Sequence, residues 1–469
     1  MGNQLYLPDW TVTEVTDRDG AYQIGAAYDV APTTCLKCGL VDAPLYKHGT
    51  KTITYVDAPV HGRQTFINVK RGRYRCRECG GTFMQPLPDM DDERRMTVRC
   101  REYIERQCLL KPNTHVAEDV GVDEKTVRLI GKANADRLFD AHAVGVRAPR
   151  VLGMDELFLG DEMRAIFVNV ETSWPIELLP NRWQAPVTNF LMNLPGRKET
   201  EVVTMDMWKP YKVAVQHAMP QAVVIIDKWH VMRTANDVMD VARRRFQGLL
   251  STADRKGLKA RKAIFLKRPY QLTAREQLDL DGWLKNTPEL RGAYETKEAF
   301  MAIWQHRKRD IAKAALDEWR ATIPQHLLSL FRPIVTTTTN WEPEILNYFD
   351  HGRFTNAPTE ARNRVIKMTN RLGAGYSFDA IRARALFGKR PGRVKAEKAA
   401  EEAARRVPRW HCASCKAVFS DLAEEAHFVW AYWLPSEGGV PLAPLCADCH
   451  RLHTEMWFGH DDDSTLKSE

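Results

Sequence analysis

The sequence predicts a multidomain α/β protein: a mixed β-sheet with helices on its faces, flanked by small metal-stapled modules. Three observations carry this. Residues 150–232 alternate short apolar runs with amphipathic stretches in the order β-β-β-α-β-α-β-α. Residues 233–350 then read as helix, with no second set of strand signals. Eight of the 10 cysteines fall in Cys-x-x-Cys pairs, two pairs toward each end of the chain. The 469 residues have room for about three or four domains of roughly 100–200 residues each. A hydrophobic content of 44% provides for a sizeable core, and a formal net charge of +8 favours an anionic partner without naming one.

No apolar run approaches the roughly 18 residues of a membrane-spanning helix, and the N-terminus has no apolar signal core. A reducing, cytoplasmic setting is therefore expected, in which paired cysteines serve a metal rather than disulfides. Residues 1–30 are weakly patterned. Residues 1–90 are expected to form a zinc-ribbon domain. Cys35, Cys38, Cys76 and Cys79 would supply four thiolates to a closed tetrahedral site, with strand-like stretches at Thr52–Val56 and Gln64–Val69 between them. Lys70-Arg71-Gly72-Arg73-Tyr74-Arg75 would set arginines on the ribbon surface, where Arg71 and Arg73 suit phosphate contacts; a solvated basic hairpin is the alternative.

Residues 91–148 read as helices, with Cys100 and Cys108 as reduced thiols. Thr114–Arg128 fits a helix-turn-helix: Ala117 is small where two helices cross, Gly121 supplies the turn and Asp123 can cap the second helix. Lys125, Thr126 and Arg128 would then lie near the start of a recognition helix. An ordinary helical hairpin fits the same residues.

In the segment 149–388, strands are expected at Arg150–Asp155, Arg164–Glu171, Pro175–Pro180, Glu201–Asp206 and Ala222–Asp227. Asp155 and Asp206 end apolar strand-like runs, and Glu360 opens a basic helix-like run. Metal-assisted phosphoryl transfer needs this pattern, a few hard carboxylate oxygens converging at one sheet edge. Glu156 should point to the opposite face from Asp155, because side chains alternate along a strand. Arg364, Lys367 and Arg371 follow Glu360 at helical spacing and form a cationic track beside it. The helical insertion at about 233–350 carries a run of Arg255, Lys256, Lys259, Arg261, Lys262, Lys267 and Arg268, read as a DNA contact, with a solvated face as the alternative. Trp283, Trp304, Trp319 and Trp341 are expected in the core.

Residues 389–408 read as a basic linker, and 409–469 as a C-terminal zinc module and acidic tail. Cys412, Cys415, Cys446 and Cys449 would hold the second zinc ion.

Together these pieces resemble a bacterial insertion-sequence transposase of the ISL-three group. The resemblance rests on the first four cysteines, Gly-Met-Asp155-Glu, Met-Asp206-Met-Trp-Lys-Pro-Tyr211, Asp227-Lys-Trp-His230 and Asn356-Ala-Pro-Thr-Glu360-Ala-Arg-Asn-Arg. It implies a ribonuclease-H-like catalytic domain interrupted by a helical insertion. Asp155, Asp206 and Glu360 would be a triad binding two Mg²⁺ ions, with Asp227 competing for the second place and His230 orienting the scissile phosphate or stabilising a leaving group. It also implies double-stranded DNA partners, namely the element's inverted repeats and a target, and a dimer or larger synaptic assembly at the bacterial nucleoid. The C-terminal module looks similar to an HNH or treble-clef motif through Glu425-Ala-His427, His450 and His453, but lacks the Asn expected before the third cysteine. A domesticated DNA-binding regulator and an HNH-type nuclease are the rival functions.

Overall fold

The computed structural model describes residues 7, 9–248, 250–373 and 375–388, and four short strands: Trp410–His411, Val418–Phe419, Ala426–Phe428 and Pro444–Cys446. The chain divides into two units, Met1–Gly388 and Lys389–Glu469. In the second unit the four strands form two antiparallel pairs. Cys412, Cys415 and Cys449, together with the 389–408 linker, lie outside the described residues. For Cys446 only the strand backbone is described, paired with Ala426.

The first unit opens with a seven-stranded sheet. Its strands are β1 (Trp10–Arg18), β2 (Ala21–Tyr28), β3 (Leu45–Val60), β4 (Arg63–Cys76), β5 (Thr82–Met84), β6 (Met90–Asp91) and β7 (Met96–Thr97). The spatial order is β1-β2-β4-β3-β7-β6, with β5 also on β4. Two tight hairpins shape it, at Asp19-Gly20 (φ 54° and 78°) and His61-Gly62 (φ 51° and 75°). Positive φ at both loop residues gives the turn whose twist matches that of paired strands. The β1–β2 hairpin occupies residues expected to be weakly patterned. Its first strand is mostly exposed, so no apolar alternation marks it, and Asp-Gly was the signal to read. Trp10, Tyr55, Ile67 and Val69 form the core of this sheet.

Three helices follow: α1 (Val98–Gln107), α2 (Asn113–Val120) and α3 (Glu124–Gly145). Thr97 caps α1 by accepting from the Cys100 N–H (3.1 Å), and Asp123 caps α3 by accepting from that of Thr126 (2.8 Å). Gly121 ends α2 at φ 83°, where a Cβ would also stand 2.7 Å from Gln64 Oε1 of β4. Cys100, Ile104, Val116, Ala117, Val127 and Ile130 close the core between the helices.

The second sheet has five strands in the order β10-β9-β8-β11-β12: β8 (Val151–Leu159), β9 (Glu162–Asn169), β10 (Trp174–Leu178), β11 (Val202–Met205) and β12 (Val223–Ile226). β8, β9 and β10 pair antiparallel, whereas β8, β11 and β12 run parallel. The parallel connections need crossovers, which α4 (Gln184–Asn193) and α5 (Lys209–Ala218) supply. After β12 comes α6 (Lys228–Gln247), then α7 (Thr252–Ala260), α8 (Lys262–Leu266), α9 (Ala274–Asn286), α10 (Pro288–Ala302), α11 (Arg309–Thr322), α12 (Leu328–Asn340) and α13 (Glu342–Asp350). This insertion shares one continuous core with the sheet, including Trp304, Trp319 and Trp341. Asn347 of α13 donates to the Val224 carbonyl (2.9 Å), so α13 lies against the β12 strand. The chain then runs through α14 (Ala357–Gly373) and α15 (Phe378–Phe387).

In the insertion's basic run Arg255, Lys256 and Lys259 are exposed, while the other four cations are ion-paired. Arg261 pairs with Asp279 (2.9 Å), Lys262 with Asp240 (3.2 Å), Lys267 with Glu276 (2.6 Å) and Arg268 with Glu298 (2.7 Å). Neighbouring helices supply the acids, so much of the run's charge is neutralised within the insertion.

Candidate active site

The register of the parallel strands builds the site. Thr204 is level with Gly153, and Met205 with Ile226. One residue beyond Met205 and Ile226, and two beyond Thr204 and Gly153, stand Asp206, Asp227 and Asp155, so the three aspartates fall in one row across three adjacent strands. Alternation sends Glu156 elsewhere, to Arg182 at 2.6 Å. Asp227 is 2% exposed and caps α6 through the Trp229 N–H (3.4 Å). That cap starts α6 so that His230 falls in its first turn. His230 Nδ1 is then 2.9 Å from Asp206 Oδ1 and 3.6 Å from Asp227 Oδ2. The approach to Asp206 lies off a hydrogen-bonding line, and both Asp206 Oδ1 and His230 Nδ1 are buried without a hydrogen bond. Ligand atoms of Asp206, Asp227 and His230 all fall within 4.8 Å of one another.

Glu360 enters from the first turn of α14. Buried Asn356 seats that helix: its Nδ2 donates to the Met154 carbonyl (3.0 Å) and its Oδ1 accepts from Thr204 Oγ1 (3.2 Å). Gly153 makes the approach possible, since a Cβ there would stand 2.4 Å from Thr359 Oγ1. One turn on, Asn363 Nδ2 donates to Asp155 Oδ2 at 2.6 Å. Sequence reasoning missed Asn356, Asn363 and Gly153. A signal existed in Asn356 opening the Ala-Pro start of a helix and in Asn363 three residues after Glu360.

The acids crowd one another. Burial, reinforced by the charge of Asp206, pushes Asp155 up to about 8. Burial and the charge of Asp227 raise Glu360 as well. Burial opposes the charged form of His230, but Asp206 and Asp227 outweigh it and hold the imidazolium to about 10. Asp155 and Glu360 stand outside the 4.8 Å group of Asp206, Asp227 and His230, yet both feel its charge. Crowded carboxylates at one sheet edge are the donor set of a hard divalent cation. The residues present fit such an ion.

The first four cysteines converge at a separate point. All four sulfurs lie within 4.8 Å of one another, Cys35 and Cys76 buried. Cys35 Sγ and Cys79 Sγ are 3.7 Å apart, close to the roughly 3.8 Å edge of a tetrahedron with Zn–S bonds of about 2.3 Å. Backbone N–H groups, of Cys38 first and then of Lys37, lower the Cys35 thiol to about 6.

The expected DNA-facing residues divide. Arg71 is a correction. Its side chain is 8% exposed, bonded to Asp92 by both terminal nitrogens (2.7 and 2.8 Å) and to the Gln85 carbonyl, so it pins the sheet and reaches no phosphate. Arg73 is exposed, donating to Thr82 Oγ1. Lys125 and Arg128 are exposed on α3, while the Thr126 hydroxyl is engaged by Asp123 (2.7 Å). Arg364, Lys367 and Arg371 are exposed along α14.

Among the described residues, no helix is long and apolar enough to cross a membrane. Residues 152–385 match a transposase family, the ISL3 transposase domain. Residues 31–79 match the zinc finger of the transposases of IS204, IS1001, IS1096 and IS1165. The chain is also similar to the transposase for insertion sequence element IS1001 of Bordetella parapertussis. The two are 22% identical over 377 residues, which cover 77% of this chain and 89% of the relative. With that zinc finger preceding that transposase domain, the chain belongs to the ISL3 family of transposases.

Proposed function

We propose that this transposase binds the terminal inverted repeats of an insertion sequence and catalyses Mg²⁺-dependent DNA strand cleavage and strand transfer. The observation that carries the reading is the row of Asp155, Asp206 and Asp227 across three strands, with Glu360 brought to it by α14. The β10-β9-β8-β11-β12 order supports a ribonuclease-H-like assignment of this domain. Asp155, Asp206 and Glu360 would hold the metal, with Asp227 beside Asp206 as a further oxygen donor. When bound, the divalent ions activate the attacking oxygen and stabilise the leaving one.

The rest of the chemistry falls to the chain's own side chains. Asn363 fixes the Asp155 carboxylate. His230 stands beside Asp206, where it can donate a hydrogen bond to a phosphate oxygen. Arg364, Lys367 and Arg371 grip the backbone leading away from Glu360. The α2–α3 pair acts as a helix-turn-helix, with Lys125 and Arg128 toward the groove, and Arg73 adds a phosphate contact from the ribbon. Zinc at Cys35, Cys38, Cys76 and Cys79 holds the ribbon, and a second zinc is assigned to Cys412, Cys415, Cys446 and Cys449. Joining two DNA ends requires a dimer or larger assembly in the cytoplasm.

The test is incubation of the protein with DNA carrying the sequences that flank its gene, with Mg²⁺ and then with EDTA, beside Asp155→Ala and Asp206→Asn. Metal-dependent nicking or joining at the ends, lost in both variants, is the expected result. Specific binding without cleavage would support a regulator instead, and cleavage surviving both substitutions would move the activity to the C-terminal module.

A further inference from the structure

α15 bridges the DNA-facing helices and the second sheet. Toward the sheet, Arg382 donates from Nε (2.7 Å) and Nη2 (2.6 Å) to the two carboxylate oxygens of Glu177 on β10, a residue 6% exposed. Toward α3, the same guanidinium lies 4.2 Å over the Phe139 ring. Phe387 packs against both Phe139 and His142 of α3, centroids 5.6 Å apart in each case. His142 Nε2 in turn sits 2.8 Å from the Ile176 carbonyl of β10. Near α2, Arg384 donates to Asn113 Oδ1 (2.8 Å) while lying 3.9 Å over Tyr376. At the end of α15 the backbone is so close that a Cβ on Gly388 would stand 2.9 Å from the Leu109 carbonyl.

These contacts are the more telling because the surroundings are open. A cavity of about 840 Å³ separates α2 and α3 from the α14–α15 corner, with Arg128, Lys132, Tyr376 and Asp379 in its wall. Beside this cavity the two halves are joined by the Arg382 fork, the Arg384–Asn113 bond and the packing of Phe387 on Phe139. A forked, partly buried Arg–carboxylate pair adds little net stability, but it fixes distance and angle. α15 also follows directly on α14, the helix that carries Glu360 and its cationic track. From Glu360 to Arg371 that track runs about 16 Å at 1.5 Å per residue, ending at the cavity whose far wall carries Arg128.

We infer that α15 is a spacer fixing the distance between the DNA sequence held by α2–α3 and the phosphate presented to the acidic row, and that Arg382 is its positioning residue. The inference rests on the DNA-cleaving reading above. The fork to Glu177 and the Arg384–Asn113 bond act as one tie: with both in place, the α2–α3 pair and the acidic row hold one separation and one phosphate is cut. Without it, the two halves shift relative to each other about the open cavity, and neighbouring phosphates come into reach.

The experiment measures two positions on the same flanking-sequence duplex, the protected segment and the cut, for the full chain, R382A and N113A. N113A severs the Arg384 link while leaving the Glu177 pair in place. The expected result is that both variants protect the same segment as the unsubstituted protein, while their cuts spread to phosphates on either side. A single cut at the original phosphate in both variants, at whatever rate, overturns the inference. So does an R382A protein that loses protection and thermal stability together while N113A still cuts in place, since Arg382 would then be a general support. If the unsubstituted protein protects the ends and cuts nothing, the catalytic reading fails. The spacer, which presupposes a cut, is then overturned with it.

Discussion

At the scale of residues, the acidic row is strained by its own charge, and that has measurable consequences. Asp155 is held near 8, above the ordinary carboxylate range, so its cost to stability is absent below about pH 4, builds as pH rises from there, and is complete once pH passes about 8. In EDTA at pH 8, Asp155→Asn should therefore raise the stability by an amount on the order of 1–3 kcal/mol, read as a higher thermal midpoint, and the gain should shrink toward pH 5. A lower midpoint at pH 8 would contradict the burial argument. In Mg²⁺ the order reverses for activity, because the variant loses a ligand. Asn363 is a second case. Its hydrogen bond orients the Asp155 carboxylate, and removal of such an outer partner typically costs about 10–100-fold in metal affinity or activity. Asn363→Ala should raise the half-saturating Mg²⁺ concentration for cleavage while repeat binding is unchanged. Glu360 was legible as an acid opening a patterned run, whereas Asp155, expected to end its strand, sits in the middle of β8, which runs on to Leu159. Asn363 was not legible, because an amide inside a helix announces nothing until the strand it touches is known.

At the scale of elements, close approach and capping decide where the site forms. Gly153→Ala puts a Cβ against Thr359 Oγ1 and pushes α14 off β8. The expected loss is about 1–3 kcal/mol, read from the denaturation midpoint, together with impaired cleavage. The zinc ribbon is a separate support: a chelator strong enough to strip zinc, or Cys76→Ser, should unfold the β3–β4–β5 end and expose free thiols to a colorimetric reagent, leaving the second sheet's helical signal largely intact. Asp91 ties β6 to α1. Although burial opposes its charge, the Arg94 N–H and then Arg101 (3.1 Å) lower its pKa. Its contribution is present above the ordinary carboxylate range near 3.9 and is lost as pH falls through the lowered folded value. Asp91→Asn should lower the denaturation midpoint at pH 7, and the difference from the unsubstituted protein should shrink as pH falls below the ordinary carboxylate range. The β1–β2 hairpin, by contrast, escaped reading because a solvated strand needs no apolar alternation.

At the scale of the whole molecule, free and paired cations are sorted by the fold. The insertion's basic run meets acids from adjacent helices, whereas Arg364, Lys367 and Arg371 stay exposed on α14. Log affinity for DNA should fall with log salt, and each α14 substitution to Ala should reduce that slope by about 1. Lys262→Ala in the insertion should leave the slope unchanged. An equal effect at both places would mean that DNA crosses the insertion as well.

The sequence by itself determined what local chemistry can encode. It specified the Cys-x-x-Cys knuckles, the capped α2–α3 pair, the order of strands and helices in the second sheet, and the acids that close apolar runs, because each depends on neighbours a few residues away. The tertiary structure alone decided the rest. It drew Asp227 up to Asp206 through parallel register and His230 through the α6 cap, seated α14 through Asn356 and Gly153, buried Arg71 against Asp92, and paired four cations of the insertion's basic run. In each of these cases the partner lies tens to hundreds of residues away or on another element, and only packing brings the two within the few ångströms at which a hydrogen bond or an ion pair acts.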